Sequence, residues 1–271
     1  MKLDLIKIST EIRIKILNMI NSGGSSHIGS AFSCVDILVS LYSEVLNVEP
    51  DKMNDIDRDY FIMSKGHAGA AVYATLAKFG FFDEDKLYGH CQNGSCFSGH
   101  VSHIGINGVE FSTGSLGHGL PYACGLALSA KIDGRGSRVF CLNGDGEMAE
   151  GSNWEALLFA AHHSLDNLYL LIDRNRLQSL KGTEDTLRLE PLEQKLESFG
   201  WEVKSVNGHS HKDIELACSR AHRDKPIAII CNTVKGKGVS FMENSVEWHY
   251  RTPTDEFFDT ALNELESLLC E

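Results

Sequence analysis

Apolar positions fall into two alternating patterns along the chain. Leu5, Ile8, Ile12, Ile16 and Ile20 recur at three- and four-residue spacing, one face of an amphipathic helix, and Gly23 and Gly24 end it. A glycine-containing loop then presents Ser25, Ser26 and His27. Downstream, short continuous apolar runs rich in β-formers predict strands at 60–63, 138–142, 168–173, 201–206 and 227–232. Between them, residues 67–79, 118–131, 151–163, 191–199 and 211–222 carry helical periodicity. Phe258, Leu262, Leu265 and Leu269 return to helical spacing in the tail 254–269. Apolar strands joined by helices of this length need cover on both faces. The expected fold is therefore α/β: a doubly wound, mostly parallel sheet with helices on both faces. Ligands of such sheets sit at the carboxyl ends of the strands.

No internal repeat, low-complexity tract or long linker divides the sequence, so residues 1–271 read as a single domain. Residues 86–110 are rich in Gly, His, Ser and Asn and read as an ordered loop system, of the kind that usually has a function. Against 37 Asp and Glu stand 25 Lys and Arg, a formal charge of −12. That charge disfavours nucleic acid and anionic membrane as partners. A bound phosphate would need a metal or a few local cations, and the basic residues form no obvious cluster. Lys235 and Lys237 read equally as phosphate ligands or as solvated loop cations.

Asp4, Lys7, Glu11, Arg13 and Lys15 interrupt the N-terminal apolar residues, unlike a secretory signal, and no apolar run is long enough for a membrane helix. The eight cysteines are scattered through a chain too long to need disulfide staples and read as reduced thiols, which fits a cytoplasmic protein. His90, Cys91, Cys96, His100 and His103 are zinc-competent residue types within fourteen positions, but their spacing fits no standard zinc pattern. The His162-His163 pair, on a helix with apolar neighbours, reads as structural.

The strand expected to end at Leu142 runs into Asn143-Gly144-Asp145-Gly146-Glu147. Two glycines around one aspartate allow close approach of backbone to a ligand, with one carboxylate aimed into the crevice. Thirty positions beyond Asp145, after a helix and the next strand, stand Asn175, Arg176 and Leu177. One crossover brings the ends of adjacent parallel strands together, so Asp145 and Asn175 can both offer oxygens to one hard cation. Magnesium (Mg) suits that pair, since it takes one or two protein oxygens and completes an octahedron with water and phosphates. Gly-Asp-Gly alone is equally a turn. The asparagine at this separation favours the paired reading.

Gly144-Asp145-Gly146 with Asn175 resembles the metal and diphosphate motif of thiamine diphosphate enzymes. Ser64-Lys65-Gly66-His67-Ala68, Gly99-His100, the run Ser112 to Gly119, Glu150-Gly151 with Glu155-Ala156, the run Lys235 to Glu243, and Trp248-His249 follow. Together, in order and over nearly the whole chain, they resemble the N-terminal subunit of a two-chain transketolase. The resemblance implies the thiamine diphosphate-binding fold, with Asp145 and Asn175 binding Mg through their side chains and Leu177 through its carbonyl. It places His67, Gly144 and Gly146 at the diphosphate. Gly114 and Leu116 are placed at the aminopyrimidine through backbone groups, with His118 where this region often has Gln or His. His27, His100 and His249 match histidines around the reactive thiazolium carbon and the sugar hydroxyls. Such groups suit a reaction that moves protons near neutral pH. Glu150 and Glu155 would favour a helix N-terminus in any case. The resemblance adds that they lie at a subunit interface and share protons between sites.

The implied reaction is transfer of a two-carbon ketol unit from a ketose phosphate donor to an aldose phosphate acceptor. In this family the glutamate that activates the cofactor lies in a pyrimidine-binding domain, which follows the diphosphate-binding domain in single-chain members. With the chain ending at Glu271, that domain and the C-terminal domain are expected on a separate subunit, in an α2β2 assembly. The sugar phosphate is expected to be read mainly by that partner. Three alternatives stand beside this reading. One is the α subunit of a thiamine-dependent 2-oxo acid dehydrogenase, which commonly has two adjacent asparagines where this chain has Arg174-Asn175. A second is a fragment of 1-deoxyxylulose-phosphate synthase. The third is a non-catalytic nucleotide- or metal-binding module on the same sheet.

Overall fold

The computed structural model describes residues 4–219 and 224–270. Five strands, β1 (Tyr60–Met63), β2 (Val139–Gly144), β3 (Leu168–Arg174), β4 (Glu202–Asn207) and β5 (Ile227–Asn232), form one sheet in the order β1-β2-β3-β5-β4. Every pairing is parallel. The register aligns Phe61, Phe140, Tyr169 and Ile227 in one row across the sheet, with the Phe140 and Tyr169 rings stacked 4.5 Å apart. The next row, Ile62, Cys141, Leu170 and Ala228, points to the opposite face. Both rows are buried, which is why the strands read as continuous apolar runs without polar alternation.

The first row packs under helices α1 (Leu5–Gly23), α2 (Ile28–Ser33), α3 (Val35–Ser40) and α4 (Gly69–Lys78). The second packs against α5 (Gly119–Ile132) and α6 (Gly151–His162). A single turn, α7 (Thr183–Thr186), is followed by α8 (Leu192–Ser198) on the second face; α9 (His211–Ala217) and α10 (Asp255–Leu268) return to the first. The helix expected over 211–222 is present as α9, and residues 220–222 lie outside the described residues. At the start of α1 the Asp4 side chain accepts from the Lys7 amide at 3.1 Å, and Gly24 stops the helix in the left-handed region at φ 57°. Ile12, Ile16 and Ile20 are buried along its inner face, each contributing about 1.5–3 kcal/mol by transfer from water.

Helices α2 and α3 carried no periodic signal. Residues 28–41 are buried on every side, so no polar face marks the helical repeat. The loop system over 86–110 is pinned to the core at Tyr73, whose hydroxyl donates to the His100 carbonyl at 3.0 Å and accepts from the Ser102 amide at 2.8 Å. All eight thiols are free, and Cys34, Cys124, Cys141, Cys218 and Cys231 are buried as small apolar side chains. Among the described residues, no helix is long and apolar enough to cross a membrane.

Candidate active site

The carboxyl ends of the strands converge on one crevice of about 250 Å³. From β1 come Lys65 and His67, from β2 the run Gly144 to Glu147, from β3 Asn175, Leu177 and Gln178, and from beyond β5 Lys235. The segment carrying Gly114 and Leu116 forms a further wall, together with His100. Gly66 makes that wall possible: a Cβ there would lie 2.3 Å from the Thr113 carbonyl oxygen, so only glycine lets the two segments cross. His27 enters ahead of α2 and His249 from a short turn at Glu247–His249. These two are joined by the His27 amide donating to the His249 carbonyl at 2.8 Å.

The His27 ring lies 4.9 Å from His249, 5.3 Å from His67 and 5.6 Å from His100, centroid to centroid. Its backbone is held at φ 72°, unusual for a side-chain-bearing residue, and its buried Nδ1 has no hydrogen-bond partner among the described residues. Burial, with His100, Lys235 and Lys65 nearby, lowers the His27 pKa to about 4. Burial and Lys235 lower that of His249 to about 3. His67 is pushed well below its usual value by burial and then by Lys65. These three imidazoles are therefore neutral at pH 7.

The expectation that the basic residues form no cluster is corrected here, because the fold gathers two distant lysines at the crevice. Lys65 is buried and paired with Asp173; burial opposes its charge, but Asp173 lifts its pKa above the ordinary lysine value. Lys235 is only 1% exposed, and its Nζ donates to His249 Nδ1 at 2.9 Å and to the Gln178 carbonyl at 3.0 Å. The Leu177 carbonyl lies at 3.3 Å from the same Nζ. Burial, reinforced by Lys65, brings its pKa down to about 8. Lys237 instead pairs with Glu243 at 3.1 Å and does not line the crevice.

Opposite the imidazoles stands a wall of oxygens. Asp145 accepts from the Gly146 amide at 2.7 Å, from Arg174 Nη1 at 3.0 Å and from the Arg176 amide at 2.5 Å. Asn175 Oδ1 accepts from the Leu177 amide at 3.1 Å. A carboxylate, an amide oxygen and the Leu177 carbonyl make an all-oxygen set suited to Mg, and the buried His27 Nδ1 has no partner among the described residues, which fits a site that a ligand completes. Burial and the neighbouring Asp173 raise the Asp145 pKa, a strain that a bound cation would relieve. Glu147 ties the walls together. Buried, it accepts from Ser64 Oγ at 2.5 Å, from the Gly117 amide at 2.9 Å and from the Gly144 amide at 3.1 Å.

Eleven residues expected at the site thus meet in one crevice: His27, His67, His100, Gly114, Leu116, Gly144, Asp145, Gly146, Asn175, Leu177 and His249. Glu150 and Glu155 do not; they are exposed at the start of α6, and His118 is exposed ahead of α5. Sequence reasoning gave no role to Lys65 or Glu147. Their only signal was position, Lys65 beside His67 and Glu147 directly after Gly-Asp-Gly. Of the zinc-competent cluster, His90 is buried against Ser25 Oγ at 3.1 Å while Cys91 and His103 are exposed. His162 and His163 are exposed at the end of α6. A larger groove of about 640 Å³ lies between α1 and the Glu84–Gly89 turn. It holds the ion pairs Lys15–Glu84 and Lys78–Glu11 and none of the residues above, so we place no chemistry there.

Residues 6–256 match the family described as transketolase, thiamine diphosphate binding domain. The chain belongs to this transketolase family. It is 42% identical over 255 residues to an apulose-4-phosphate transketolase subunit of Actinobacillus succinogenes, covering 94% of this chain and 92% of that protein. To the 6-deoxy-6-sulfo-D-fructose transketolase subunit SqwG of a Clostridium strain it is 36% identical over 267 residues, covering 98% and 97%. The solved transketolase of Campylobacter jejuni superposes with a TM-score of 0.87 at 28% identity, over 98% of this chain but only 43% of that one. Thiamine diphosphate is accordingly the cofactor of this transketolase domain, and the family match favours transketolase over the 2-oxo acid dehydrogenase alternative.

Proposed function

We propose that this chain is the diphosphate-binding subunit of a split transketolase, moving a two-carbon ketol unit from a ketose phosphate to an aldose phosphate once a partner subunit is in place. The observation that carries the reading is the crevice itself: Asp145, Asn175 and Leu177 line it together with a cluster of four imidazoles at the strand ends. Bound thiamine diphosphate supplies the nucleophilic carbon that carries the ketol unit. Asp145, Asn175 and the Leu177 carbonyl would hold Mg, with His67, Gly144 and Gly146 at the diphosphate and Gly114 and Leu116 at the aminopyrimidine. His27, His100 and His249 exchange protons with the hydroxyl and carbonyl oxygens of the sugar. The depressed pKa values of His27 and His249 keep both rings neutral, and His249 therefore presents a ring N–H to the sugar oxygens. Lys235 holds the His249 tautomer by donating to Nδ1, which leaves Nε2 to carry the ring proton.

Two features support a partner subunit that carries the pyrimidine-binding domain and its activating glutamate. The crevice falls below the roughly 300–1,000 Å³ of a complete small-molecule site. The outer face of α5 and α6 exposes Ile132, Leu158 and Phe159 beside Glu155, an apolar surface suited to docking. We read Glu150 and Glu155 as interface carboxylates and the assembly as α2β2. The free thiols suit a cytoplasmic setting. The two subunit relatives are named for ketoses that carry phosphate or sulfonate, which supports an anionic ketose as donor. The test is a ketol-transfer assay with xylulose 5-phosphate, ribose 5-phosphate, thiamine diphosphate and Mg. It is run on this chain alone and with the product of the adjacent reading frame. Activity only in the mixture is the expected result; full turnover by the chain alone overturns the split reading.

A further inference from the structure

Lys235 reaches the crevice on a segment that leaves β5, and the amides of that segment are held in different ways. Thr233 and Gly236 donate to backbone carbonyls, those of Arg174 at 3.2 Å and Gly29 at 3.0 Å. Val234 donates to a side chain, His209 Nε2, at 2.8 Å. His209 lies in the turn between β4 and α9 and does not line the crevice. Because its Nε2 accepts, its proton is on Nδ1, and Nδ1 lies 2.6 Å from Asp36 Oδ2. Asp36, buried on α3, is gripped by both terminal nitrogens of Arg13 on α1, at 3.2 and 2.7 Å. His211 stands on the other side of Asp36 at 4.0 Å and is itself held by Ser40 at 2.9 Å. A continuous line of polar contacts thus runs from the helical layer through His209 to the residue before Lys235.

We infer that His209 is a positioning residue for Lys235: anchored by Asp36 and Arg13, it fixes the Val234 amide and so sets where the Lys235 ammonium meets His249 and the Leu177 and Gln178 carbonyls. The consequence for turnover rests on the crevice being the thiamine diphosphate site. The imidazole serves both ends at once, donating through Nδ1 and accepting through Nε2, and the Nε2 end is the one that holds Val234. Three variants separate the ends. His209→Phe keeps the ring and loses both contacts. His209→Asn keeps a donor near Asp36 but does not reach Val234. His209→Gln extends an oxygen to the Nε2 position and keeps the acceptor for Val234.

The test reads amide hydrogen exchange over 233–236 in the full chain, then thiamine diphosphate affinity and ketol transfer in the complex with the partner subunit. His209→Phe and His209→Asn should speed exchange at the segment and weaken cofactor affinity about tenfold, while His209→Gln restores both to near the wild-type level. Unchanged exchange in His209→Phe overturns the inference. Lost protection with unaltered cofactor affinity and turnover overturns the positioning role, and so does rescue by Asn instead of Gln. If the wild-type complex binds no thiamine diphosphate, the cofactor reading fails, while the exchange data still decide whether the relay exists.

Discussion

Lys235 Nζ lies 2.9 Å from His249 Nδ1, so a proton on one excludes a proton on the facing atom of the other. Burial and this contact keep His249 neutral down to about pH 3, and His27 beside it down to about pH 4. In the unfolded chain both would titrate near 6.5. Between those values the unfolded state binds more protons, so stability rises with pH across the window and is lost as pH falls from about 6.5 toward 4. Melting temperatures measured through that range should fall, and His249→Gln should flatten the fall. An unchanged slope in the variant would contradict the assignment.

Asp145→Asn keeps the size of the side chain and an acceptor for the Arg176 amide while deleting a buried charge. The fold should persist at a loss of about 1–3 kcal/mol, because burial and Asp173 already disfavour that charge while the new amide nitrogen faces the Gly146 N–H. Mg-dependent binding of thiamine diphosphate in the complex should weaken by about a hundredfold or more. Calorimetric titration with and without Mg checks both halves of the statement.

Glu147→Gln tests the joint between the walls. One amide oxygen can satisfy Ser64 and Gly117, but the amide nitrogen would then face the Gly144 N–H, donor against donor. One buried group stays unsatisfied, at about 1–3 kcal/mol. Urea unfolding should show that loss; a neutral result would mean the walls are joined by other contacts.

Leu158 is 59% exposed on the outer face of α6. Leu158→Glu should leave the stability of the chain within about 0.5 kcal/mol, as for most surface changes. Affinity for the partner subunit should drop at least about tenfold, the cost of setting a charge in an apolar contact. Sedimentation of the mixed subunits separates the two effects.

The strands and most helices were legible because a two-sided parallel sheet leaves continuous apolar runs, and its covering helices leave periodic ones. Their edges moved by a residue or two: β2 runs on to Gly144 and β3 to Arg174, where strand hydrogen bonding continues past the last apolar side chain. Helices α2 and α3 were illegible for the opposite reason, with no exposed face to break the pattern. At the site, the motif residues were readable, but the relation between them was not. Lys235 and Lys237 look alike in sequence, and the turn of the chain buries one against His249 and leaves the other with Glu243. Lys65 joins Asp173 across 108 positions, a pairing no local pattern encodes.

The hydrogen bond from the His27 amide to the His249 carbonyl closes a loop of 222 residues. Contacts of such long sequence separation form late, after local helices and neighbouring strands have removed most of the chain's freedom. A polypeptide still being synthesised therefore has its sheet, and its Asp145 and Asn175, before it has a crevice. Only when the segment bearing His249 has emerged and folded back over α2 does the fourth imidazole join His27, His67 and His100, so ligand capture by this chain reports that this segment has docked.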